Sequence, residues 1–374
     1  MNVNLKQEIN AFFLECGIDA RLSHGKIEKE LKKRMGRSRY NRYLDLGDMM
    51  RARKAPVMAI YECMNTLQEA NLLITLQAEI FVEVSAQIYT IIKPFLCKGA
   101  TIGDLGCYTG AFLHWLASHH QDCLFFGFDR YPKSVAFTNE LNKNSNACGV
   151  VWDYTALGQF PSERCDLLVC SFGIDFDLSI VPRYSLDVTN LRYCQGYRVQ
   201  TKEAYQYFSC WREAINPGGK LVTVLRIPGF DHLLALVDAA MDAGWGLDLA
   251  SSKRICSDGE SFPLLVFLAD QEKRVTQKEL MAFWHQNDHS PGGNVYTDCR
   301  AIERYLSLPN KVVIKEKKVT YPGDGHTMLN IIGRSGDLGY FYRRATTDFT
   351  ELTIVPHEHI GTLKLIDSEE YFEL

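Results

Sequence analysis

No Cys-x-x-Cys pair occurs among the twelve cysteines of this chain; the closest spacing is Cys165 to Cys170. Most of the cysteines sit inside apolar runs, as Cys16 and Cys170 do, so they read as reduced, buried thiols and the expected compartment is the cytoplasm. No apolar run approaches the roughly 20 residues of a membrane span, and "MNVNLKQEIN" at the start has no apolar signal-peptide core. The ten histidines show no metal-ligand spacing; His119-His120 and His357-x-His359 read as surface pairs, and no metal is expected. The dinucleotide fingerprint G-x-G-x-x-G, the P-loop lysine and the nucleophile elbow G-x-S-x-G are all missing. There is no internal repeat and no low-complexity segment. A net charge of -4 argues against a chain that is basic overall.

What remains is ordinary globular composition, 46% hydrophobic and 23% charged, over 374 residues, enough for two or three domains. Residues 1–96 read as a helical N-terminal segment or cap. Leu5, Ile9, Phe12, Phe13 and Cys16 recur at helical spacing before Gly17, and 57–74 and 78–93 are further apolar-periodic stretches. Between them, 21–54 holds twelve Lys or Arg against four acids, a net +8 that leaves the rest of the chain near -12. From 97 to 270 short apolar runs alternate with helical stretches, which predicts βαβ units and a mostly parallel sheet. That pattern closes on "GLDLASSKRI" and "FPLLVFLA", two strands joined through an Asp-Gly turn, so the last strand should be antiparallel. Residues 271–374 read as a small α+β or β-rich module, opened by the capping box "TQKE" at Thr276.

The chemistry-bearing stretch is "IGDLGCYTGAFLHWL", Ile102 to Leu116. A buried strand carries Asp104 near its end, and the chain turns through Gly106 and Gly110 into a helix. Such a corner lets a ligand approach the backbone and offers it free N–H groups. Asp129 follows 25 residues later at the end of the second strand, where an acid can take both ribose hydroxyls. Asp153, in "VVWDY" at the end of the third, could accept from an adenine amino group. One such acid is usually a strand end or a cap; three in phase favour a nucleotide-like ligand.

Together these residues resemble the class I S-adenosylmethionine-dependent methyltransferase family. "IGDLGCYTG" looks like its first motif, "GFDRYP" its second, "WDYTAL" its third, "CDLLVCSFG" its fourth, and "AINPGGKLVTV" the strand that follows. The resemblance covers roughly 75–270. It implies a Rossmann-like seven-stranded sheet with an antiparallel last strand, and S-adenosylmethionine as cofactor. Carried over, Asp104 would contact the amino-acid end, and Gly106, Cys107, Tyr108 and Gly110 would form the turn beneath it. Asp129 with Arg130 would hold the ribose, Asp153 and the Tyr154 backbone the adenine, and Ser171 would face the methionine. The family typically has Gly at the position of Tyr108; a tyrosine there could cover the methionine moiety or alter the pose.

Methyl transfer can be driven largely by positioning. The insertion 173–200 is expected either to wall the acceptor pocket or to be a surface subdomain. In the first case Asp175 would be the base, with Tyr184, Tyr193 and Tyr197 lining the pocket. Arg226, just after the fifth strand, could clamp an acidic substrate or be a solvated strand end. A small-molecule acceptor is the leading expectation. The alternative is an RNA or DNA methyltransferase docking through 21–54, where "KIEKELKKRMGRSRYNRY" interleaves Arg with Tyr40 and Tyr43. A third reading is a cofactor-binding protein with other or no transfer chemistry. No membrane partner is expected, and no sequence feature sets the oligomeric state.

Overall fold

The computed structural model describes residues 3–51, 58–154, 163–173, 195–227, 230–257, 260–270, 274–276, 279–280, 283, 294–320, 327–345, 350–357 and 360. The chain forms two compact units. The first comprises 1–180, 200–227 and 236–274, and the second 181–199, 228–235 and 275–374.

In the first unit five strands run parallel: β1 (Thr101–Leu105), β2 (Leu124–Asp129), β3 (Ala147–Val151), β4 (Cys165–Ser171) and β5 (Ile215–Val224). Next come β6 (Gly246–Leu247), β7 (Lys253–Ser257) and β8 (Glu260–Leu268). The sheet order is β3-β2-β1-β4-β5-β8-β6, with β7 also paired to β8. β8 runs antiparallel to β5, as the closing hairpin predicts. The sheet has eight strands rather than seven because the expected strand 246–255 is cut in two. Asp248 makes the cut: its Oδ1 accepts from the N–H groups of Ala250 at 3.1 Å and Ser251 at 3.3 Å, an Asx turn that diverts the backbone from the ladder.

The central strands β1 and β4 are buried on both faces over most of their length. Ile102, Phe125, Leu167, Val169, Val222, Leu264 and Val266 share one core with Leu113, Trp115 and Leu116 of α6 (Ala111–His119). The N-terminal helices join the same core. Ile9 and Phe13 of α1 (Val3–Glu15) and Val84, Ile88 and Ile92 of α5 (Ala78–Ile92) belong to it. A second cluster is built by α2 (His24–Arg51), α4 (Leu67–Thr75) and α7 (Pro132–Asn142). Ile27, Leu31 and Met35, one turn apart on α2, meet Leu67, Ala70 and Leu72 of α4 and Phe137 of α7. Each such buried side chain contributes about 1.5–3 kcal/mol. α2 breaks its helical geometry at Gly36, φ 72.

The stretch expected as one helix over 57–74 is two, α3 (Met58–Glu62) and α4. Thr66 starts the second: its hydroxyl accepts from Glu69 N–H at 3.2 Å, an N-cap that outweighs the continuing apolar period. α8 (Gln195–Glu213) lies in the crossover from β4 to β5, and α9 (Phe230–Asp242) follows β5.

The second unit holds a five-stranded antiparallel sheet, β9 (Asn294–Thr297) to β13 (Thr350–Pro356), in the order β10-β11-β12-β13-β9. Between these ends run β10 (Val312–Thr320), β11 (Thr327–Ser335) and β12 (Leu338–Ala345). α10 (Asp298–Ser307) packs Ala301 into the cluster of Ile331, Tyr340, Tyr342 and Leu352. The expected capping box forms: Glu279 N–H donates to Thr276 Oγ1 at 3.2 Å, and Thr276 N–H to Glu279 Oε2 at 2.8 Å.

Candidate functional site

Strand order reverses between β1 and β4, and in open α/β sheets that crevice, outside the carboxyl ends of the strands, is where ligands bind. The turn after β1 lies there. Gly106 and Cys107 both donate N–H bonds to Phe128 O, at 2.8 and 3.2 Å, and Gly110 N–H bonds Cys107 O at 2.8 Å. Gly106 (φ 77) and Gly110 (φ 71) are left-handed. A Cβ on Gly106 would stand 2.7 Å from Gly173 Cα and 2.9 Å from Tyr154 Oη, and one on Gly110 would stand 2.7 Å from Thr138 Cγ2. Both glycines are therefore required by the packing of the turn itself.

Tyr108 shares the left-handed conformation, φ 49. For a bulky side chain that costs about 1–2 kcal/mol, so the surroundings must hold it there. They do so at both ends of the residue: Tyr108 N–H donates to Asp129 Oδ2 at 3.2 Å, and Thr138 Oγ1 donates to Tyr108 O at 3.1 Å. The Tyr108 ring meets the ring of Tyr61 on α3 edge-on, with centroids 4.5 Å apart, and packs against the cluster of α2, α4 and α7. Its hydroxyl oxygen is enclosed, with no hydrogen-bond partner among the described residues. The Thr109 hydroxyl is in the same condition.

Asp104 pairs across the ladder with Gly127, two residues before Asp129, so the two carboxyls lie on the same face of adjacent strands. Asp104 is 8% exposed and Asp129 3%. Burial, reinforced by the charge of Asp129, pushes the Asp104 carboxyl up to about 7. Burial pushes Asp129 up to about 6, opposed by N–H bonds from Tyr131, at 2.9 Å, and Tyr108 and by the charge of Arg130. The Ser134 hydroxyl adds a third bond, so Asp129 is partly satisfied from within. Asp104 receives no side-chain hydrogen bond or ion pair from any described residue. A buried carboxyl in that position calls for a cation or donor from elsewhere.

The other expected residues fall as follows. Cys107 turns inward; its thiol lies 3.3 Å from Thr138 Oγ1, and burial pushes it well above the ordinary thiol range. Arg130 stacks over the Tyr131 ring at 5.1 Å. β3 ends at Val151, so Asp153 stands two residues beyond the strand, exposed. Tyr154 is buried; its hydroxyl donates to Gly173 O at 3.0 Å, and its carbonyl accepts from Trp211 Nε1 at 2.8 Å. Ser171 is the last residue of β4, partly exposed. Asp175, Tyr184 and Tyr193 lie outside the described residues, as does the side chain of Tyr197, whose backbone belongs to α8. Arg226 bonds Gln77 Oε1 at 2.6 Å and lies over the ring of Phe172 at 4.3 Å. Thr138 and Tyr61 are members of the site that no motif signals; each is placed only by helix packing, while Gly173, the last residue of the fourth motif, carried no expected role and closes on Gly106.

In the basic segment Tyr40 is buried, so its ring is not a free platform for a base, and Tyr43 packs partly buried against the same cluster. Arg39 holds the buried Glu69 through two bonds of 2.7 and 2.9 Å.

By its sheet order, with β8 reversed, the fold is the Rossmann-like one that the sequence motifs imply. No protein-family model and no curated protein matches the chain. Solved structures similar to it include TrmN from Thermus thermophilus, at 13% identity and TM-score 0.36, over 49% of this chain and 48% of that one. The chain therefore spans about half the length of TrmN. Magnesium protoporphyrin IX methyltransferase from Synechocystis with bound S-adenosylmethionine gives 15% and 0.37, over 55% and 84%. Human N-acetylserotonin methyltransferase in complex with S-adenosylmethionine gives 15% and 0.40, over 64% and 70%. These are similarities of fold.

Proposed function

We propose that the carboxyl edge of the first unit's sheet binds S-adenosylmethionine and that the protein transfers its methyl group to a small-molecule acceptor. The observation that carries this reading is Asp104: a buried carboxyl without a partner among the described residues, beside Asp129, at the crevice where strand order reverses. The donor set fits the cofactor. Asp104 would accept from the α-ammonium, and the free acceptor capacity of Asp129 would take the ribose hydroxyls. Asp153 and the backbone at Tyr154 would meet the adenine, and Ser171 at the end of β4 would face the methionine. When bound, the cofactor supplies an electrophilic methyl group on a sulfonium. The chain's own task is to hold it at the crevice with the acceptor in line, which can supply most of the acceleration without a dedicated acid or base. Asp175, Tyr184, Tyr193 and Tyr197 are proposed for the acceptor side. Burial of Tyr40, with Tyr43 partly buried against the same cluster, favours a small acceptor over a nucleic acid.

The test is turnover of methyl-tritiated S-adenosylmethionine with a panel of phenols, amines, thiols and carboxylates, and with mixed RNA and DNA. Label is expected in a small-molecule product. Label only in nucleic acid would reject the acceptor class, and tight binding without label anywhere would reject transfer.

A further inference from the structure

Tyr108 stands where a side chain is least comfortable, in the left-handed region between two left-handed glycines. Strain of this kind persists where surrounding contacts over-determine it, and it gathers at ligand sites. Here Asp129 and Thr138 pin its two backbone groups, and Tyr61 holds its ring edge-on. The ring packing alone would be served as well by phenylalanine. What phenylalanine lacks is the hydroxyl, and that hydroxyl is enclosed with no partner among the described residues. An enclosed hydroxyl left unpaired is a standing cost, so its retention points to a partner that arrives with the ligand.

The kind of partner follows from charge and proton inventory. Burial first, then the neighbouring Tyr61 and Asp129, hold the Tyr108 phenol well above its ordinary range, so it is neutral and can donate. The two carboxyls at the crevice, Asp104 and Asp129, are acceptors when ionised and serve ammonium and hydroxyl groups. An amino-acid end brings a carboxylate as well, and neither acid can receive that once ionised. Tyr108 and Thr109 carry the unpartnered hydroxyls of this turn.

We propose that Tyr108 is the specificity-determining residue of the turn, donating its phenol hydrogen bond to the carboxylate of an amino-acid-bearing nucleoside ligand. The proposal rests on the cofactor reading above and adds to it the group that Tyr108 recognises. It makes the turn selective for the amino-acid end, separately from the nucleoside contacts of Asp129 and Asp153.

Calorimetric titration of the wild-type chain and of Tyr108→Phe, each with S-adenosylhomocysteine and with 5′-methylthioadenosine, tests it. The second ligand keeps the thioether nucleoside and lacks the amino-acid end. Tyr108→Phe is expected to weaken S-adenosylhomocysteine about tenfold, the scale of one hydrogen bond to a charged group, while leaving methylthioadenosine within twofold. Equal weakening of both ligands would overturn the proposal, because it would show a general packing role. No change in either ligand, with a raised melting temperature for Tyr108→Phe, would also overturn it, marking the hydroxyl as only an unpaired group. If the wild-type chain bound neither ligand, the cofactor reading itself would fall and the proposal with it; binding by wild type without the predicted split rejects only the role of Tyr108.

Discussion

Two carboxyls and one tyrosine stand together at the turn after β1. Asp104 and Asp129 share a face two positions apart, and burial raises both. A raised carboxyl means that the folded chain holds its proton more firmly than the unfolded chain does. Stability of the ligand-free protein should therefore fall as the pH climbs from the ordinary 3.8 towards the Asp104 value of about 7. Asp104→Asn is expected to raise the melting temperature at pH 8 and to change it little at pH 3, read by thermal melts across that range. Pairing with an ammonium needs the ionised form, so affinity for S-adenosylhomocysteine should rise between about pH 6 and 8, and Asp104→Asn should flatten that rise. Asp104, Gly106, Asp129 and Gly110 were legible in the sequence because strand ends and turn glycines leave a pattern in one dimension. The left-handed conformation of Tyr108 was not, since the residue type disguises it. Nor was the inward turn of Cys107, which depends on Thr138, 31 positions away.

At the level of elements, periodicity disclosed the alternating strands and helices, because a buried strand and an amphipathic helix each impose a repeat. It missed the breaks, where one polar side chain overrides the repeat: Thr66 divides α3 from α4, and Asp248 divides β6 from β7. The basic segment shows the same limit. Its charge run reads as a surface, yet every fourth residue, Ile27, Leu31 and Met35, is core. Its Arg39 is a tie between α2 and α4, holding Glu69, which is 2% exposed. Burial alone would raise Glu69, but the bonds from Arg39 and from Asn65 N–H leave it below its ordinary 4.5. The tie is therefore present at neutral pH and lost as the pH falls below that range. Arg39→Ala should destabilise the protein by about 1–3 kcal/mol through the unpaired buried carboxylate. Chemical denaturation at pH 7 checks this, with a smaller loss expected near pH 3.

Over the whole molecule, the net +8 of 21–54 stands against -12 in the remainder, and part of that net charge is paired with acids outside the segment: Arg21 with Asp19 and Arg39 with Glu69. Tyr40 is buried in the core and Tyr43 packs partly buried against it, so Tyr40 is not available to stack on a base. Fluorescence anisotropy with mixed RNA and DNA is expected to give no submicromolar binding. Steeply salt-dependent submicromolar binding that vanishes when Lys29, Lys33 and Arg37 are neutralised would reverse that expectation. The central claim concerns the crevice of the sheet, and calorimetric titration with S-adenosylhomocysteine tests it most directly. The wild-type chain should bind this ligand saturably, and Asp129→Ala about tenfold or more weakly through the loss of about 1.5–3 kcal/mol from a charge-assisted hydrogen bond. No binding by the wild-type chain, or equal binding by Asp129→Ala, would contradict the claim.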